Sequence, residues 1–174
     1  MKSALQPESY PGLCREPLVE RSLSDPESTR RFGARLGAFL GKGSFLGLIG
    51  DLGAGKTTLM QGLVEALSGS QFEASSPTYA LVQEYETVPK VFHMDLYRLE
   101  NLEDLESIGY WDYLDEREGL CCVEWLDRIP EAWPEKGWIL ELRSEGDGRR
   151  IRLYGDQEGT SEDRKRLVEA LEEL

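Results

Sequence analysis

Eight consecutive residues, Gly50-Asp51-Leu52-Gly53-Ala54-Gly55-Lys56-Thr57, satisfy the pattern G-x-x-x-x-G-K-S/T without exception. That pattern suits a phosphate chain. Glycines let the backbone fold into a concave nest of N–H groups turned toward one anion, and a helix that follows adds the positive end of its dipole. Lys56 then reaches the β- and γ-phosphates, and the Thr57 hydroxyl can ligate Mg²⁺, so the nucleotide-binding segment runs from Gly50 to Thr58. The rival reading is a chance glycine-rich turn between a strand and a helix. The neighbouring sequence weakens it, because Phe45-Leu46-Gly47-Leu48-Ile49 reads as a buried strand and Lys56 to Leu67 as a helix with Leu59, Leu63 and Leu67 on one face.

Phosphate chemistry also needs acidic groups to hold Mg²⁺ and to position an attacking water. Two candidates end apolar runs. Glu124 follows Cys121-Cys122-Val123, and Asp95 closes Val91-Phe92-His93-Met94-Asp95, where period-two spacing puts His93 and Asp95 on one strand face. For each the bland alternative is a solvated strand-end carboxylate. His93 is the one histidine, so a zinc site is out of reach, and a buried or supporting role suits it better. Reading guanine by an N-K-x-D segment is excluded because Asn101, followed by Leu102, is the single asparagine. ATP is therefore the expected nucleotide.

The elements that must position these groups alternate between strand and helix. Ser24-Asp25-Pro26-Glu27 has the form of a capping box opening a helix with Phe32, Leu36, Phe39 and Leu40 at helical spacing. Tyr79 to Glu86 and Val91 to Leu96 flank Val88-Pro89-Lys90 as a hairpin. Two short helical pieces, Leu102 to Ile108 and Tyr110 to Leu114, break at Gly109. Trp138 to Leu142 and Arg149 to Tyr154 form a second hairpin around Glu145-Gly146-Asp147-Gly148, and Thr160, with Asp163 three residues on, opens an amphipathic tail. The expected fold is α/β, a P-loop NTPase-type three-layer sandwich with a mostly parallel central sheet and added antiparallel strands. The expected organisation is a loosely ordered extension over 1–21, an ATPase domain over 22–155 and a helical tail over 156–174.

The chain has 174 residues and a formal net charge of −13. An acidic surface repels phosphate backbones, which argues against a broad grip on nucleic acid. No apolar run approaches the roughly 18–20 residues of a membrane span, and Met1 to Glu20 lacks the apolar core of a secretory signal. Cys14, Cys121 and Cys122 make neither a disulfide framework nor a zinc site, so a cytoplasmic protein with reduced thiols is expected.

Taken together, Gly50 to Thr58, Ser76-Pro77-Thr78-Tyr79, His93-Met94-Asp95-Leu96-Tyr97-Arg98-Leu99 and Glu124-Trp125 resemble the TsaE family in order and spacing over about residues 22 to 155. The resemblance implies a bacterial ATPase that assists tRNA threonylcarbamoyladenosine synthesis. Such proteins bind Mg-ATP, hydrolyse it weakly alone, and dock on a TsaB–TsaD pair whose second member modifies adenosine 37 of tRNA. Hydrolysis resets that complex, and tRNA is met only through it. By the same resemblance Thr57 and Glu124 hold Mg²⁺, and Lys56, Asp95 and Glu124 form the catalytic centre. Ser76 to Tyr79 sense the nucleotide, while Asp25 to Ser28 and Arg149 contribute to binding it. The two termini have no counterpart in the family pattern. The main rival is a small-molecule P-loop kinase, with Asn101 to Gly119, including Arg117, as an arginine-bearing lid. That stretch is acidic and carries Tyr110, Trp111 and Tyr113, which suits a partner surface at least as well. A third reading is a nucleotide-gated binding module, which overlaps the first because a slow ATPase is such a switch.

Overall fold

A computed structural model describes residues 6–69, 73–116, 118–157 and 161–172. Among them, the strands are β1 (Val19–Leu23), β2 (Phe45–Ile49), β3 (Val82–Tyr85), β4 (Lys90–Asp95), β5 (Gly119–Glu124), β6 (Trp138–Glu145) and β7 (Gly148–Gly155). They form one sheet in the order β1-β7-β6-β2-β5-β4-β3. The inner strands β6, β2, β5 and β4 run parallel, and antiparallel strands flank them: β3 at one edge, β7 and β1 at the other. The parallel strands are largely apolar on both faces, as strands covered by helices on both sides must be, with His93, Asp95, Glu124 and Glu141 as their buried polar exceptions.

The helices are α1 (Pro26–Phe39), α2 (Lys56–Ser68), α3 (Leu102–Ser107), α4 (Tyr110–Asp115) and α5 (Ser161–Glu172). Strand side chains alternate between two cores. Leu46, Leu48, Leu120 and Cys122 face Phe32 and Leu36 of α1, Leu59 and Leu63 of α2, and Leu167 and Leu171 of α5. Phe45, Ile49, Phe92, Met94, Cys121 and Val123 face Leu105 of α3, Tyr110 of α4, and Leu126, Ile129 and Trp133 around two short 3-10 turns. This is the expected three-layer arrangement, with Gly109 breaking α3 from α4 at φ 67°.

Glycines bring α1 and α2 together. A Cβ at Gly62 would stand 1.8 Å from the Arg30 carbonyl oxygen, and one at Gly33 would stand 2.0 Å from that of Leu59. Backbone on backbone at this distance excludes any side chain, and it seats the start of α1 beside the start of α2.

Three expectations change. The cap of α1 is Asp25, not Ser24: Asp25 Oδ1 accepts the Ser28 amide at 2.7 Å, and the Asp25 amide donates to Ser28 Oγ at 3.2 Å. Pro26 decides this, since its fixed φ and missing N–H suit the first helical position and leave the residue before it as the cap. The 1–21 stretch is not loose where it is described. Tyr10 and Leu13 are buried, Trp133 Nε1 donates to the Pro11 carbonyl at 2.8 Å, and Val19–Leu23 pairs with β7. An unpaired β7 edge invites a partner strand, and the few apolar residues here are too sparse to show periodicity. The second hairpin is longer than expected, with Glu145 paired to Gly148 around Gly146 and Asp147. The tail helix α5 rests on α1, where Arg35 Nη1 donates to the Ala170 carbonyl at 2.9 Å. Thr160, expected to open that helix, and Arg117, expected in a lid, lie outside the described residues.

Candidate functional site

The P-loop joins the end of β2 to the start of α2. Gly53 and Gly55 take φ of 78° and 105°, a region L side chains rarely enter, and this turns the loop so that Lys56 begins the helix. A cavity of about 420 Å³ opens over it, a size that suits a small-molecule ligand. Leu52, Gly53, Gly55, Lys56, Thr57 and Thr58 line one side, and Ser76, Thr78, Tyr97, Glu124, Trp125 and Arg149 the other. Four separate segments thus converge on the loop.

Lys56 is 5% exposed. Its Nζ donates to the carbonyls of Gly50 at 2.6 Å and Asp51 at 3.0 Å, and lies 3.9 Å from the centroid of the Trp125 ring. Trp125 turns back over the lysine because its φ is 60°, immediately after Glu124 ends β5. Arg149 comes from β7 and donates through Nη2 to the Gly53 carbonyl at 3.1 Å, crossing the loop from the far side.

Parallel pairing of β4 and β5 sets Asp95 opposite Glu124. Both are buried, yet they meet the cavity differently. Glu124 lines it and accepts His93 Nε2 on Oε1 at 2.8 Å. Asp95 lies under the Ser76–Tyr79 loop: Oδ2 accepts Thr78 Oγ1 at 2.6 Å and Ser76 Oγ at 3.1 Å, while Oδ1 accepts the Tyr97 amide at 2.8 Å. Its carboxylate therefore reaches the cavity through two hydroxyls. Pro77 is buried, and Tyr79 points outward at 89% exposure.

The other residues singled out in the sequence are spread around this centre. Asp25 borders a small adjoining cavity with Thr29, Gly55, Thr58, Asp147 and Arg149. The Ser28 amide, and next the Ser24 hydroxyl, hold the Asp25 carboxyl below the usual carboxylate range. Ser28 itself is turned back on the cap, its hydroxyl donating to the Asp25 carbonyl at 2.8 Å. Gly50 and Asp51 border a different cavity beside Glu141 and Arg143, and Ala54 is buried beneath the loop. Tyr97, Thr29 and Asp147 are lining residues the sequence reading did not select. Tyr97 belongs to the His93 to Leu99 segment that carries part of the family resemblance. Thr29 lies one helical turn past the cap, and Asp147 sits in a hairpin turn with no local signal.

Among the described residues, no group of three or more His, Cys, Asp or Glu side chains is placed to hold a metal ion. Thr57 and Glu124 do border one cavity, and hydroxyl and carboxylate oxygens suit Mg²⁺, which takes one or two protein oxygens, retains water and binds phosphate. The donor set fits that ion. No described residue between Asn101 and Gly119 lines this cavity; α3 and α4 cover the other face of the sheet. A larger cavity of about 670 Å³ lies near α3, where Glu100, Glu103 and Glu131 outnumber Arg128, a lining unsuited to phosphates.

Comparison with known proteins converges on one description. The family profile "Threonylcarbamoyl adenosine biosynthesis protein TsaE" matches residues 23–151. A Haemophilus influenzae protein named tRNA threonylcarbamoyladenosine biosynthesis protein TsaE is 37% identical over 137 residues, covering 75% of this chain and 85% of that protein. One of the same name from Nostoc is 45% identical over 128 residues, covering 72% and 77%. The crystal structure of Bacillus subtilis YdiB superposes with a TM-score of 0.71 at 28% identity, covering 89% of this chain and 94% of that one.

Proposed function

Because the chain belongs to the TsaE family, which serves tRNA threonylcarbamoyladenosine biosynthesis, we propose that it is a cytoplasmic Mg-dependent ATPase that docks on and resets a TsaB–TsaD transferase pair. The observation that carries this reading is the convergence of the P-loop, Thr57 and Glu124 on one cavity. The chain's acidic charge favours a role in which tRNA is met only through the partners.

In this mechanism the loop amides and the start of α2 receive the phosphates of ATP. Lys56 leaves the Gly50 and Asp51 carbonyls for the β- and γ-phosphate oxygens, a short move because those carbonyls border the loop. Thr57 and Glu124 hold Mg²⁺, which when bound neutralises phosphate charge. Glu124 also orients the attacking water. Asp95 keeps Ser76 and Thr78 at the cavity wall, so the Ser76 to Tyr79 loop registers whether the γ-phosphate is present. Asp25 and Arg149, which line a small cavity beside Gly55, would meet the end of the nucleotide away from the γ-phosphate.

The test is Mg-dependent ATP hydrolysis by the purified protein, alone and with the pair. Slow turnover that accelerates with the pair is expected. Lys56→Ala should lose ATP binding, Thr57→Ala should lose Mg²⁺ dependence, and Glu124→Ala should lose hydrolysis more than binding. Turnover indifferent to the pair, or a fully active Glu124→Ala, would reject the proposal.

A further inference from the structure

His93 is fully buried on β4, one strand away from Glu124, and no metal-ligand or nucleophile role falls to it. Its Nε2 lies 2.8 Å from Glu124 Oε1. A carboxylate only accepts hydrogen bonds, so the proton between them belongs to Nε2. Nδ1 is buried with no hydrogen-bond partner among the described residues. Only the tautomer protonated on Nε2 alone serves both facts: it donates toward the carboxylate and leaves a bare acceptor at Nδ1, not a stranded N–H. The ring itself is held flat by Tyr85, stacked at 6.3 Å and 28°, whose hydroxyl is in turn met by the Ser75 amide at 3.4 Å.

Glu124 needs such a partner. It is 2% exposed at the end of an apolar strand, and among the described residues this is the hydrogen bond its carboxylate accepts. A buried carboxylate with no donor rotates toward water or loses its charge. With Oε1 occupied by the imidazole, Oε2 is the oxygen left for the cavity that Thr57 also borders.

We infer that His93 is a positioning residue for the ATPase centre, fixing the Glu124 carboxylate so that one oxygen faces the Mg-nucleotide while the other stays bonded inside the sheet. The inference rests on the proposed role of Glu124. It differs from a packing role in a specific way: the ring's N–H matters, and its shape alone does not suffice.

The experiment compares His93→Phe, which keeps a flat ring for Tyr85 but has no donor, with His93→Gln, which restores an N–H on a different frame. Single-turnover release of γ-phosphate and the Mg²⁺ concentration giving half the maximal rate are measured in the full chain. Glu124→Gln and the double variant are run beside them. Loss of a group supporting a metal-site carboxylate typically reduces activity or metal affinity by about 10–100-fold. His93→Phe should therefore fall in kcat by about 10-fold or more and need more Mg²⁺, with nucleotide binding in the absence of Mg²⁺ unchanged. His93→Gln should regain part of the rate, and His93→Phe should add no further loss to Glu124→Gln. An inactive Glu124→Gln beside a normal His93→Phe overturns this inference alone. Equal losses in His93→Phe and His93→Gln that track their melting temperatures overturn it too. A Glu124→Gln with the full rate removes the underlying reading and this inference with it.

Discussion

Replacing Thr78 with valine tests how firmly the Ser76–Tyr79 loop is held to the sheet. Three short oxygen contacts meet there: Thr78 Oγ1 to Asp95 Oδ2 at 2.6 Å, Ser76 Oγ to the same oxygen at 3.1 Å, and Ser76 Oγ to Thr78 Oγ1 at 2.7 Å. Two hydroxyls bring two protons, and an ionised carboxylate brings none. The Thr78 proton goes to Asp95, its shortest contact, and the Ser76 proton has the other two acceptors to choose from. A hydrogen bond to a charged group contributes about 1.5–3 kcal/mol. Thr78 is half-buried, and Asp95 keeps the Ser76 hydroxyl and the Tyr97 amide, so the loss falls near the lower end, at about 1.5 kcal/mol. That is close to the ~1.4 kcal/mol that shifts an equilibrium tenfold.

A loop of this kind opens without unfolding the sheet, so global denaturation reports the change poorly. Cleavage by chymotrypsin after the exposed Tyr79 reads the opening directly, because slow proteolysis follows the population of the open form. Thr78→Val should be cut there about 10-fold faster than the parent. Thr78→Ser should be close to the parent, and Ser76→Ala should change less than Thr78→Val. Saturating Mg-ATP should slow cleavage in the parent if the loop senses nucleotide. An unchanged cleavage rate in Thr78→Val, or a larger effect from Ser76→Ala, would refute the proton assignment and the anchoring role drawn from it.

Gly62→Ala sets two effects against each other. Helix propensity favours alanine by about 1 kcal/mol, but the new Cβ would stand 1.8 Å from a backbone oxygen, and overpacking costs about 1–3 kcal/mol or more. Net destabilisation in urea titration is expected, with Gly41→Ala, which meets nothing within 4 Å, as the neutral control. Asp25→Asn tests the cap through pH. A carboxyl whose folded pKa lies below its unfolded value stabilises above the unfolded value and ceases to do so as pH falls through the folded one. The parent's advantage over the variant should be constant above about pH 5 and shrink as pH falls below the ordinary carboxylate range in melting curves. Thiol labelling at neutral pH should modify Cys14 first. Burial pushes the Cys121 thiol up to about 12 and the Cys122 thiol well above its usual value, so both should react only on unfolding.

Much of this molecule was legible as a string of residues because the relevant signals are local. The P-loop is eight consecutive residues whose glycines and lysine act through neighbouring backbone, so its pattern survives without any fold. The buried strands Phe45–Ile49 and Gly119–Glu124 show as apolar runs, and α2 shows as leucines at helical spacing. The family resemblance followed from four such segments in order, and profile and relatives match across them.

Tertiary structure decided what depends on long-range contact. That Asp95 and Glu124 stand side by side follows from the register of β4 on β5, and no spacing along the chain encodes it. Their difference follows from what covers them: a loop about 20 residues upstream puts two hydroxyls over Asp95, while Glu124 opens to the cavity. The N-terminal residues gained order from an unpaired sheet edge formed by β7, more than 120 positions away in sequence. Arg149 meets the P-loop only because the same hairpin crosses behind it. Local chemistry is written in residue type and spacing, but a site is a set of distances, and distances between distant segments exist only once strand pairing and helix packing have fixed them.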